Sequence, residues 1–292
     1  MWRSQPRYAP FLYVAGVLVF SLMDASAKYL SELIPLVQVI TMRVVFAFIP
    51  VLFLVAYEAR KNGALKLSSE RRLLQLVHGL LVVVTNITFV GALSLLPLAD
   101  LVALTLIAPL LMVAMGVVWL KEPFQKTDLM WSGLGLLGVL FIVRPSGELT
   151  SVMGVVLALS SAFFYALGSI VTKLLSDHDS AAITSLYSNV IFALVLLVWL
   201  FFSPWQPMTG EELGVGALVG IAGGLGNILV IAAFALGAVS RLAALDYTAY
   251  VWALLFGFLI FSEVPAWMAL IGAGLIVFGG YKITISHKKA LE

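Results

Sequence analysis

The sequence predicts an all-α integral membrane protein of ten transmembrane helices, built as two inverted five-helix repeats with both termini in the cytoplasm. Three observations predict it. The 292 residues are 62% hydrophobic and 11% charged, with a mean hydropathy of +1.09, whereas a soluble domain carries about 25% charged residues. Apolar segments follow one another along the chain, most of them near the ~20 residues that cross a bilayer. The second half also matches the first at a constant offset of 141 residues. Cysteine is absent, which excludes a disulfide framework and a thiolate metal site, and no cofactor is expected.

The predicted crossings are Pro10–Leu30, Leu36–Tyr57, Leu73–Leu93, Leu98–Leu120, Asp128–Val143, Val152–Leu175, Ile183–Phe202, Leu213–Leu236, Ala243–Phe261 and Pro265–Ile285. Pro, Gly or charge marks most of the short connections between them. The N-terminus carries Arg3 and Arg7 ahead of an apolar run, as a signal peptide does. That run continues to Leu30 with no small-x-small cleavage site, so it is expected to be the first crossing. No soluble domain is expected before or after the membrane part.

Loop charge orients the chain, because cytoplasmic loops hold the excess Lys and Arg. One side collects Arg3, Arg7, Arg60, Lys61, Lys66, Arg71, Arg72, Lys121, Lys126, Lys173, Arg241, Lys282, Lys288 and Lys289. The other collects Lys28 and Arg144, while Arg43 lies within a helix.

The repeat pairs Gly79 with Gly220, Asn86 with Asn227, Ala108 with Ala249, Gly116 with Gly257, Glu122 with Glu263 and Gly138 with Gly279. Upstream the offset becomes 145, pairing Lys28 with Lys173 and Arg43 with Ser188. Asn, Glu and Lys are rare here, so these pairs weigh more than Gly/Ala/Leu matches. Residues 10–143 and 152–285 are the two expected units. Five crossings is an odd number, so the second unit enters from the opposite face. Inverted repeats of this kind are a secondary-transporter architecture, with a substrate site near the midplane.

At this point the chain resembles a known family. Met42-Arg43-Val44-Val45-Phe46-Ala47 in the second segment, Ala108-Pro109-Leu110-Leu111 with Lys121-Glu122 at the end of the fourth, and the echo at Ser262-Glu263 are similar to the drug/metabolite transporter superfamily, EamA-type branch. The resemblance implies a bacterial inner-membrane exporter of small metabolites. It looks closest to amino-acid exporters, of the YddG type that handles aromatic residues. It implies a cavity lined by the first, third, fourth, sixth, eighth and ninth helices, with the fifth and tenth outside. Tyr250 and Trp252 stand where the fourth segment has Pro109 and Leu111, so the two halves of that cavity differ chemically.

Polar groups inside a bilayer are costly, so each needs a partner or a task. Asn86 lies 14 residues beyond Arg72, about 21 Å along the helix, and Asn227 lies equally far beyond Leu213 from the opposite face. The pair is expected near the midplane, where an amide's two donors and one acceptor suit a zwitterion; an interhelical hydrogen bond is the structural alternative. Pro109 leaves the Thr105 carbonyl without its helical donor, so Thr105 and Pro109 are cavity candidates. Asp246 occupies the position equivalent to Thr105 and reads equally as an interfacial ion pair with Arg241 or as a site for an amine or proton. Asp24 is four residues before Lys28, on the same helical face, and either pairs with it or faces substrate. Arg43 reads as structural, paired with Asp24, Asp100 or helix carbonyls. His78 is the one intramembrane histidine, a neutral hydrogen-bonding residue or a proton carrier. Tyr165, Tyr250 and Trp252 offer stacking and cation–π contacts to an ammonium, or they pack against neighbours. Trp2, Trp205 and Trp267 suit the interfacial belt. The eighth segment's run of glycines, Gly214 to Gly226, suggests a moving bend. Glu122 and Glu263 read as boundary residues, each near the positive end of the helix that follows.

Small-molecule substrate, bilayer and protons as a coupling ion are the expected partners, with no nucleic acid, and the chain is expected to be a monomer or weak homodimer. Export of drugs, nucleosides or sugars and a channel-like facilitator are the alternatives. No H-E-x-x-H, G-x-S-x-G or P-loop occurs, so neither a membrane enzyme nor an ATP-driven pump is expected.

Overall fold

The computed structural model describes residues 6–63, 67–93, 95–96, 101, 104–105, 107–122, 126–143, 151–200, 202–203, 205–262 and 267–289. Trp2, Arg3, Lys66, Asp100, Pro123, Arg144, Glu263 and Pro265 lie outside them, as does the His287 side chain. The described residues form helices joined by turns and short irregular segments, with no strand among them. We label the helices α1 (Ala9–Ser31), α2 (Leu36–Asn62), α3 (Arg72–Leu93), α4 (Ile107–Trp119), α5 (Lys126–Val143), α6 (Val152–Ser176), α7 (Ala181–Leu200), α8 (Gly210–Leu236), α9 (Val239–Leu242), α10 (Thr248–Phe261) and α11 (Trp267–Lys289). Among the described residues, seven spans are long and apolar enough to cross a membrane: Ala9–Ser31, Leu36–Lys61, Arg72–Phe89, Val152–Ser176, Ala181–Leu200, Gly210–Leu236 and Val239–Ile260. Shorter apolar stretches occupy Ile107–Trp119, Leu129–Gly138 and Leu270–Gly279.

Local chemistry sets the ends. Thr209 and Glu212 form a capping box at the start of α8, satisfying two amides reciprocally. Ser151 caps α6 by accepting from the Gly154 amide at 3.1 Å. Gly63 closes α2 at φ +68°, a conformation open to glycine. Within the spans, Ser and Thr hydroxyls return to carbonyls four residues back, as Ser21 does to Val17 at 2.9 Å and Thr85 to Leu81 at 2.7 Å. These bonds remove unsatisfied donors from a medium without water.

The repeat is visible in the backbone. Lys121 and Ser262, 141 residues apart, are the described non-glycine residues with positive φ, each at 55°. They end equivalent helices on equivalent acceptors: the Glu122 amide, one position past Lys121, reaches the Gly116 carbonyl at 3.2 Å, and the Ser262 amide itself reaches Gly257. Both are C-caps with a left-handed residue. Packing repeats too. α1 lies on α8 as α6 lies on α3; α2 lies on α8 as α7 lies on α3; α1 meets α10 as α6 meets α4. α5 and α11 pack on each other, where a Cβ at Gly138 would stand 2.6 Å from the Gly272 carbonyl.

The glycines of α8 are packing positions. A Cβ on Gly220 would lie 2.4 Å from the Phe46 Cβ and 2.6 Å from the Met42 carbonyl, and one on Gly224 2.7 Å from the Ala47 carbonyl. Gly223 and Gly226 meet Met23 and Phe20 of α1 in the same way. Small residues here let α8 approach two helices at once.

Glu122, at the boundary after α4, also reaches across the fold. Its carboxylate accepts from the Val239 amide at 2.8 Å and the Ser240 amide at 2.9 Å. It therefore caps α9, in the other half of the chain. Unsatisfied amides at a helix start attract a carboxylate wherever the fold brings one.

Candidate functional site: a polar cavity between the repeats

A cavity of about 350 Å³ lies between α1, α2, α3, α4, α6 and the segment α9–α10. From α1 come Phe20, Ser21, Met23 and Asp24, from α2 Arg43, from α3 Thr85, Asn86 and Phe89. Thr105, Ala108 and Pro109 line it from the α4 side, Ser161, Ala162 and Tyr165 from α6. Asp246, Tyr247, Ala249 and Tyr250 complete the wall.

The α9–α10 segment is interrupted where it meets the cavity. Ala243–Tyr247 form a 3-10 turn between α9 and α10, and this turn carries Asp246. Asp246 accepts from the Tyr165 hydroxyl at 3.3 Å. Tyr13, fully buried, stands beside this pair, its hydroxyl without a geometrically satisfactory partner. Tyr250 interacts with Thr105. Thr105, Pro109, Asp246 and Tyr250, equivalent in pairs by the repeat offset, thus share one wall.

Across the cavity, Arg43 donates from Nη1 to Asn86 Oδ1 at 2.7 Å. The Asn86 amide nitrogen donates in turn to the Val82 carbonyl at 2.7 Å, which settles the amide's orientation. Arg43 is the charge that acts on Asp24. Asp24 is exposed along the cavity. Arg43 thus acts on Asp24, one of the partners expected for it, and also lines the cavity; a cation well inside an apolar helix was the available signal. Ser21, Thr85 and Ser161 also line the cavity and had no such signal, because hydroxyls back-bonded to their own helix are common in membrane helices.

Other candidates lie elsewhere. Asn227 donates to the Ser185 hydroxyl at 3.4 Å, joining α8 to α7. His78 is buried against the Thr172 hydroxyl at 2.9 Å, tying α3 to α6, with Nδ1 buried and unpartnered. Trp252 packs on the core around Tyr13, its indole nitrogen buried without a partner. None of the three lines the cavity. The helices also differ from those the resemblance implied: among the described residues, α8 lends none to the lining and α2 lends Arg43. The reason is the glycine face of α8, which is consumed by α1 and α2. None of the described residues of α5 and α11 is among the lining.

A buried apolar layer adjoins the cavity. Tyr13, Met112, Ile170, Phe234, Leu242 and Leu245 form a buried apolar layer where α1 begins and α4, α6 and α8 end. Tyr13 meets Phe234 edge-on, with centroids 5.4 Å apart, a favoured aromatic geometry. Lys173 donates to the Phe234 carbonyl at 2.8 Å. The links between loops at this end are polar: Asp179 accepts from Gln75 at 2.9 Å and from the Ser69 hydroxyl, and Ser180 donates to Glu58 at 2.6 Å.

A multi-helix membrane chain with a polar cavity between two repeats belongs to the class of membrane transporters. The EamA-like transporter family matches it twice, over residues 7–144 and 152–285, and the chain belongs to that family. The pseudopaline exporter of Pseudomonas aeruginosa is 25% identical over 91% of this chain and 92% of its own length. The S-adenosylmethionine uptake transporter of Rickettsia felis is 24% identical over 96% of this chain and 93% of its own. The riboflavin transporter of Vibrio cholerae is 27% identical over 64% and 63%. The family and these relatives are transporters, not enzymes. A protein of solved crystal structure shares the fold, with a TM-score of 0.81 at 19% identity over 97% of this chain and 99% of that one.

Proposed function

We propose that the chain is a secondary transporter exporting small metabolites, amino acids with aromatic or neutral side chains foremost, across the bacterial inner membrane by alternating access. It crosses ten times, in inverted units at residues 10–143 and 152–285, with both termini cytoplasmic, and works as a monomer or weak homodimer. The observation that carries this reading is the cavity's composition. Asp24, Arg43 and Asn86 come from the first repeat, Tyr165 and Asp246 from the second. Charges and amides of both signs, enclosed by apolar and aromatic walls, suit a zwitterion. A site shared between two units is also what rocking of one unit against the other exposes alternately. One relative is named for export and another for uptake, so the coupling ion sets direction; Asp24 and Asp246 are the cavity's candidates to carry a proton.

The test is a panel of amino acids, sugars and lipophilic cations in proteoliposomes, with and without an imposed proton gradient. Saturable counterflow of phenylalanine or another neutral amino acid is expected, driven by the gradient. Conductance without saturation would sink alternating access.

A further inference from the structure

The cavity's charges do not balance evenly. Its cation, Arg43, is engaged by Asn86 and Asp24 on one wall. On the opposite wall phenol groups stand around Asp246. Tyr165 donates to it at 3.3 Å, Tyr13 is adjacent, and among the described residues no cationic side chain acts on it. The carboxylate is held on a 3-10 turn within an otherwise α-helical span, after its first four residues, so the chain departs from regular helix where this side chain enters the cavity. A carboxylate in such surroundings keeps an unmet demand for positive charge. Tyr165, Tyr247 and Tyr250 line the same wall, and aromatic rings attract organic cations.

We propose that Asp246, with Tyr165, Tyr247 and Tyr250 around it, seats the substrate's ammonium group. The inference rests on the amino-acid transport reading above and deepens it. Among the described residues the lining charges are Asp24, Arg43 and Asp246, one negative charge in excess. The amine is then the obligatory end of the ligand. A carboxylate without an amine meets net repulsion, whereas an amine without a carboxylate still fits.

Isothermal titration of the detergent-purified full-length protein with phenylalanine, phenethylamine and hydrocinnamate separates the two ends. The wild type is expected to bind phenethylamine about tenfold or more tightly than hydrocinnamate, the order set by one charge-assisted hydrogen bond. Asp246→Asn closes that gap by weakening the amine, and Asp246→Glu keeps it, which distinguishes loss of charge from misfolding. Hydrocinnamate binding as well as phenethylamine in the wild type, or a gap that survives Asp246→Asn, overturns the ammonium seat. If phenylalanine still shows saturable counterflow in that case, the transporter reading stands. If none of the three ligands binds and no amino acid counterflows, both readings fall.

Discussion

At the scale of single residues, Asn86 and Asn227 separate cleanly. They are equivalent by the repeat, yet one holds a guanidinium at a cavity wall and the other a serine hydroxyl between two helices. Removing the Asn86 amide strips a charged group of its acceptor, a loss of roughly 1.5–3 kcal/mol for such a bond. Asn86→Ala is therefore expected to cut the initial transport rate on the order of tenfold. Asn227→Ala is expected to transport as the wild type does, with about 0.6 kcal/mol lost from stability, the average for hydrogen bonds between membrane helices. Initial rates normalised to monodisperse protein check both, and equal rates for the two variants would refute the distinction. The sequence marked both amides by rarity and depth. It carried no mark for what each would touch, because Arg43 and Ser185 belong to other helices.

Among the elements, α8 decides how closely α1 and α2 approach. At Gly220 the obstacles to a side chain include the Met42 carbonyl, and backbone cannot step aside as a flexible side chain can. Gly220→Ala is expected to destabilise by about 1–3 kcal/mol, the range for overpacking. Gly274→Ala is the control, since nothing lies within 4 Å of the added carbon. Thermal unfolding in detergent should lower the midpoint for the first and leave the second unchanged; matching midpoints would remove the packing role. Sequence showed a glycine-rich helix without showing which face meets a neighbour. The expected bend and the close-packed face have the same composition and differ only in what lies opposite.

For the whole molecule, the apolar layer around Tyr13 and Phe234 adjoins the cavity. In alternating access that layer is expected to part. The native chain has no cysteine, so introduced thiols have no background. Tyr13→Cys with Phe234→Cys, joined by a short reducible bifunctional reagent, is expected to arrest transport, and reduction to restore it. Undiminished counterflow in the cross-linked protein would show that this layer does not part.

By itself the sequence determined the membrane class, the two-part repeat and the rare polar residues worth following. Each of these is a property of composition or of spacing along the chain. The left-handed caps at Lys121 and Ser262 sit where that spacing put equivalent positions. Tertiary structure alone decided which polar residues meet. It joined Arg43 to Asn86 and Tyr165 to Asp246, took Glu122 to the start of α9, and set His78, Trp252 and Asn227 away from the cavity. The physical reason is that a helix offers every side chain to some neighbour. Which neighbour it meets depends on crossings such as α8 against α2, set by bare backbone contact at glycine and not by any pattern within one segment.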